Sequence, residues 1–168
     1  MAQQGSGDAR KVYDMIKDVR VAMMTTIDAD GGLHSRPMHT MKPDAEGNLW
    51  FFTRRNAPKT AEVEREHAVN LAYADPGEQN YVSVSGRATS VTDQKRIDEL
   101  WSEPLRAWFP NGKDDPEVAL VCVKPERAEY WDSPSSTIVH MVGYAKAAIT
   151  GKPPHPGDNA KVDLETAR

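Results

Sequence analysis

The chain has 168 residues, a formal net charge of −4 and a sequence pI near 5.7, which argues against nucleic acid as its main partner, because such binding draws on a basic face that releases counterions. A single domain of this length buries roughly 70% of its unfolded surface, so it needs no disulfide framework to hold a core. One cysteine, Cys122 in an apolar run over residues 119–123, points to a reducing compartment. With no apolar signal core at the N-terminus and no apolar stretch of bilayer length, the expected location is the cytoplasm, with no membrane partner.

Residues 11–17 place Val12, Met15 and Ile16 at helical spacing, and a β-rich run follows over 19–27. Asp28-Ala29-Asp30-Gly31-Gly32 predicts a hairpin turn, 33–40 its return strand, and Pro43-Asp44-Ala45-Glu46-Gly47-Asn48 a second turn before the strand 49–53. A helix is predicted over 57–66, capped by Asn56, with Pro58 in its first turn, Ala61 and Val63 as its apolar positions and a charged outer face. Strands follow over 69–73 and 81–88, joined at Asp75-Pro76-Gly77-Glu78, and the second alternates apolar and polar residues. Asp93 is positioned to cap a helix running through Trp101. An aromatic loop over 107–112 and strands over 118–123 and 128–131 bring the strand count to seven.

Short strands joined mostly by tight turns predict a mainly β fold, a small antiparallel barrel with inserted helices, because closure removes exposed sheet edges. Residues 9–150 form the predicted domain, with 1–8 and 151–168 as flexible termini. Residues 137–150 read as a helix with Lys146 as its lone cation, which favours packing over the barrel or across a dimer rather than onto a lipid surface.

Four cations, Arg36, Arg54, Arg55 and Lys59, fall around one hairpin and one helix start in an otherwise acidic chain. Lys59 is expected near the third helical position, where the macrodipole repels a cation. A phosphate would remove that conflict, accepting hydrogen bonds from the helix start and from Arg36 and Lys59 together.

Other signals carry less chemistry. The turn at Asp28 opens like a calcium loop, but the bidentate glutamate expected at the twelfth position is His39. His34 and His39 are five apart on one strand and point to opposite faces, so no metal site is expected. Cys122 lacks an adjacent cation, and Ser83 and Ser85 lack a suitably spaced histidine or a nucleophile elbow. No side chain is identified as catalytic.

Ser35-Arg36-Pro37-Met38, Leu49-Trp50-Phe51-Phe52-Thr53, Lys59, Val82-Ser83-Val84-Ser85-Gly86, Ala107-Trp108-Phe109-Pro110, Asp115-Pro116 and Glu129-Tyr130-Trp131-Asp132 are found in the chain. With this set, residues 11–136 resemble the pyridoxamine 5′-phosphate oxidase-like flavoproteins, and within them the general stress protein subgroup. The resemblance implies a split β-barrel homodimer with flavin mononucleotide (FMN) at the subunit interface, and FAD as a second candidate cofactor. It places Arg36 and Lys59 on the flavin phosphate, Pro37, Met38 and His39 along the isoalloxazine, and Phe52 and Thr53 on the ring's other side. Tyr81 falls where the oxidases have a glutamine facing the flavin, and Trp131 matches an aromatic that packs on it from the partner subunit.

After Trp131 the oxidases carry an arginine- and histidine-containing substrate segment, where this chain reads Asp132-Ser133-Pro134-Ser135-Ser136-Thr137. Oxidation of pyridoxamine phosphate is therefore not expected. The implied activity is flavin-dependent oxidation or reduction of a small molecule in a stress response, with NADH or NADPH as electron donor. A non-catalytic flavin-binding or sensing protein is the alternative, and an interaction module without flavin the third reading.

Overall fold

A computed structural model of the chain describes residues 2–132 and 157–165. Its elements are α1 (Ala2–Ile16), β1 (Val21–Ile27), β2 (Leu33–His39), β3 (Leu49–Arg54), α2 (Pro58–Arg65), β4 (Ala68–Asp75), β5 (Asn80–Val91), α3 (Gln94–Leu100), a 3-10 turn (Glu103–Ala107), β6 (Val118–Asp132) and β7 (Asp158–Asp163). The strands form one antiparallel sheet in the order β2-β1-β4-β5-β6-β3, with β7 added along β6. A bridge between Thr40 and Phe51 brings the two end strands together and curls the sheet into a barrel.

Turn chemistry fixes the register. The Asp28 side chain accepts hydrogen bonds from the N–H groups of Asp30 and Gly32 at 3.0 and 2.7 Å, and the hairpin it closes sets Met24 opposite Arg36 and Thr26 opposite His34. Gly47, at φ 77°, ends the second turn, where its carbonyl accepts from the Tyr13 hydroxyl at 2.8 Å and ties that turn to α1.

Two apolar clusters hold the sheet. Inside the barrel Met24, Leu49, Phe51, Leu71, Val84, Val121 and Val123 are fully buried, and Ala9, Val12 and Ile16 of α1 close one end with Val162 and Leu164. Each such aliphatic or aromatic side chain contributes about 1.5–3 kcal/mol on removal from water. Outside it, Trp50 and Phe52 of β3 pack with Ile97, Leu105, Phe109 and Leu120. The aromatic loop is thus a second small core, with the Phe52 ring centred 5.8 Å from Trp101 and 5.9 Å from Phe109.

The barrel, the hairpins and the Asp93 cap are as predicted, the Asp93 carboxylate accepting from the Lys95 N–H. Other elements differ. Residues 118–132 are one strand rather than two: Pro125, which has no N–H, sits opposite Gly86, where the β5–β6 register shifts, so the proline removes no needed ladder bond. The ends differ too, since α1 reaches back to Ala2 and β7 forms within the segment expected to be a flexible tail. The seventh strand is therefore β7, and the predicted helix over 137–150 lies outside the described residues.

Candidate functional site

The cation cluster sorts into two places. β2 alternates so that Arg36 and Met38 face the barrel interior while Pro37 and His39 face outward. Arg36 reaches α2, where its Nη2 donates to Glu62 Oε2 at 2.7 Å, and its Nη1 donates to Thr26 Oγ1 at 2.6 Å. The Thr26 hydroxyl in turn donates to Glu62 Oε2 at 2.5 Å. Thr26 is fully buried and Glu62 is 7% exposed, so this triad is a desolvated polar network spanning β1, β2 and α2. Burial pushes the Glu62 carboxyl up, but the Thr26 hydroxyl and the Arg36 charge outweigh it and hold it below the usual carboxylate value.

Lys59 joins this group one helical turn before Glu62. Burial, and then the charge of Arg36, lower its pKa from the ordinary value of 10.5, with Glu62 opposing them. Among the described residues no hydrogen-bond acceptor meets its ammonium. The helix start differs in detail from the prediction: Ala57 is the N-cap, without a side-chain hydrogen bond, and Asn56 does not cap. The Thr60 hydroxyl instead ties the helix start back to β3, donating to the Arg54 carbonyl at 2.9 Å. The buried positions of α2 are Thr60, Glu62 and Val63, not Ala61.

Arg54 leaves the cluster. Its Nη2 donates to the Trp108 carbonyl at 2.9 Å and its guanidinium lies 5.4 Å from the centre of the Phe109 ring, so it braces the second core. Arg55 is exposed and is held through its backbone, whose N–H donates to the Glu117 carbonyl. The four-cation reading thus reduces to Arg36 and Lys59.

The other sequence-predicted residues are dispersed. Met38 is buried in the barrel core, Phe52 in the second core, and Thr53 is buried opposite Ala119 on β6. Tyr81 and Trp131 face each other across the β5–β6 ladder on the outer surface, 42% and 39% exposed. Outward residues of the neighbouring strands extend this face: Val21 opposite His39, and Pro37, Met23 and Ala72 in one cross-strand row.

Arg36 stands on the other face, in the row Met24, Leu71, Val84 and Ala128. Tyr81 lies three residues further along β5, about 10 Å, and three strands across, about 14 Å along the sheet surface. The described residues therefore hold two separate groups, a cationic one inside the rim and an aromatic one on the outer face.

Sequence reasoning missed Glu62 and Thr26. Nothing in the charged outer face predicted for this helix singles out Glu62, although its spacing from Lys59 puts the two on one side of α2. Thr26 has no sequence signal beyond its inward place in the β1 alternation. Among the described residues no group of His, Cys, Asp or Glu is arranged to hold a metal ion, and no helix is long and apolar enough to cross a membrane.

Residues 7–155 match the family model for pyridoxamine 5′-phosphate oxidase like proteins. Over 144 residues the chain is 31% identical to protein bli-3 of Neurospora crassa, covering 80% of this chain and 69% of that protein. Over 135 residues it is 30% identical to general stress protein 26 of Bacillus subtilis, covering 79% of this chain and 94% of that protein. Among solved structures it is similar to the general stress FMN/FAD binding protein of Xanthomonas citri, at TM-score 0.65 and 32% identity, covering 75% of this chain and 89% of that one.

Proposed function

From the premise that the chain belongs to the pyridoxamine 5′-phosphate oxidase like family, we propose that it binds a phosphate-bearing flavin, FMN foremost and FAD second, as a homodimer, and acts as a flavin-dependent oxidoreductase on a small molecule. The observation that carries this reading is Lys59, a half-buried ammonium whose charge is disfavoured by burial and by Arg36 and is met by no hydrogen-bond acceptor among the described residues. A dianionic phosphate between Arg36 and Lys59 would reverse both effects with charge-assisted hydrogen bonds. The FMN/FAD binding protein of Xanthomonas citri supports the choice of ligand.

The separation of the cationic and aromatic groups supports homodimerisation. A flat apolar ring needs walls, and Tyr81 and Trp131 stand too far from Arg36 to supply them within one protomer. A second copy laid against the outer face would bring its own Trp131 toward the rim that holds Arg36, and would cover Val21, Met23 and Tyr81, which are 42–49% exposed.

In the mechanism, the bound flavin supplies the hydride and electron chemistry. The chain's own residues bind and orient. Arg36 and Lys59 would hold the phosphate end, while Pro37, His39 and Thr53 would line the approach with strand backbone. Tyr81 and Trp131, brought by the partner, would exclude water from the ring face. No proton-transfer side chain is assigned, which leaves donor and acceptor specificity to the space beside the ring. A reduced nicotinamide, NADH or NADPH, is the proposed donor, and the stress role proposed is removal of a reactive small molecule.

The test is the visible absorption spectrum before and after adding FMN and desalting. Oxidised-flavin bands retained at about one per subunit support the reading, and anaerobic addition of NADPH or NADH then asks for bleaching. Retained flavin that neither donor bleaches would turn the protein into a flavin-binding or sensing one. A colourless protein without uptake would remove the flavin altogether.

A further inference from the structure

We infer that Glu62 and Thr26 are positioning residues for Arg36, fixing which edge of its guanidinium is open to a phosphate and how far Lys59 stands from it. This rests on the phosphate reading of the site given above. Guanidinium presents its donors along flat edges, and the end edge, formed by one N–H of each Nη, points two parallel bonds in the same direction. Here Nη1 meets Thr26 Oγ1 and Nη2 meets Glu62 Oε2, and the two acceptors are themselves 2.5 Å apart. That spacing matches two parallel bonds, so the end edge is consumed. What remains is the side edge, Nε–H with the second Nη2–H, a bidentate seat for one phosphate oxygen pair.

The same network sets the second half of the site. Glu62 ties α2 to β1 and β2 through buried bonds, and Lys59 rides on that helix three residues earlier. An arginine without this seat retains the rotamer freedom of a long flexible side chain, and ordering it on ligand binding costs affinity. A site whose supporting shell is already bonded avoids that cost. Glu62 also balances charge, leaving the rim with one net positive charge from Arg36, Lys59 and Glu62 together.

The discriminating measurement is affinity for FMN against riboflavin, which differ in the phosphate alone, titrated on the purified full chain and on Glu62→Gln, Thr26→Val and Arg36→Ala. A merely structural role would move both affinities together. Positioning predicts that Glu62→Gln and Thr26→Val each lower the FMN-over-riboflavin preference roughly three- to tenfold, the cost of ordering one long side chain on binding, with riboflavin affinity unchanged. Thr26→Ser, which keeps the hydroxyl, restores the preference. If Glu62→Gln fails to fold, Thr26→Val, which exchanges one hydroxyl for a methyl, decides. An unchanged or increased preference in these variants, with Arg36→Ala still losing it, would overturn the inference and make Glu62 a competitor for Arg36. A wild-type chain with no preference for FMN would instead overturn the phosphate reading first, and the positioning role with it.

Discussion

Tyr81 and Trp131 are directly opposed residues of the β5–β6 ladder, and both rings stand half in solvent on the outer face. Two large aromatics paired at an exposed position contribute little to one protomer and much to whatever covers them. Trp131→Ala is expected to weaken the proposed homodimer or its proposed hold on flavin by about 2 kcal/mol. The stability of the isolated protomer should change by less than about 1 kcal/mol. Sedimentation equilibrium with and without FMN checks this, and a variant that keeps both dimer and flavin removes Trp131 from the site.

Arg36 bonds to Thr26 and Glu62 and is proposed to hold the phosphate, and Arg36→Ala measured with and without FMN separates the two. Arg36→Ala should cost FMN binding about 1.5–3 kcal/mol, the range for a charged hydrogen bond. It should also cost the apo protein about 1–3 kcal/mol, because Glu62, 7% exposed, is left with only part of its compensation. Thermal unfolding with and without FMN distinguishes the two losses. An apo stability equal to wild type would show that the network does not contribute to the fold.

The strands from β1 to β5 were legible because alternation and turn chemistry agree there: Asp28 to Gly32 and Pro43 to Asn48 can do little else but turn. What was not legible depended on partners distant in sequence. β6 runs through Pro125 because Gly86, a β5 residue, provides the register shift that accommodates it. β7 is mostly polar, with Val162 buried, and exists because β6 offers an edge. Around α2, the proximity of Arg36 and Lys59 was readable from type and place. Arg54 was misplaced with them because its commitment to Trp108 and Phe109 is set by a loop more than fifty residues away. Glu62 read as a surface charge because only the tertiary fold brings Thr26 and Arg36 around it.

Gly86 tests the register directly. A Cβ there would run into the Lys124 carbonyl oxygen, which is backbone and part of the paired strand, so no side-chain motion can relieve it. Gly86→Ala is expected to destabilise the chain by about 2–4 kcal/mol, seen as a lower denaturant midpoint, because β6 must shift along its whole pairing with β5. A midpoint within error of wild type would mean that the strand yields at the bulge without cost.

Acid should expose the Glu62 network. The folded protein holds the Glu62 carboxyl below its ordinary value of 4.5: burial pushes it up, but the Thr26 hydroxyl and the Arg36 charge outweigh that. Between the two values the unfolded chain binds more protons than the folded one, so stability rises with pH across that window. The contribution is complete above about pH 4.5 and is lost as pH falls through the folded value. Other carboxylates with lowered values, Asp44 and Asp115 among them, act in the same window. They are present in Glu62→Gln as well and cancel in the comparison. The stability difference between wild type and Glu62→Gln should therefore shrink as pH falls below the ordinary carboxylate value of 4.5. Denaturant melts of the two proteins at a series of pH values measure it, and a difference that stays level through the acid range would mean that Glu62 is not held ionised by its partners.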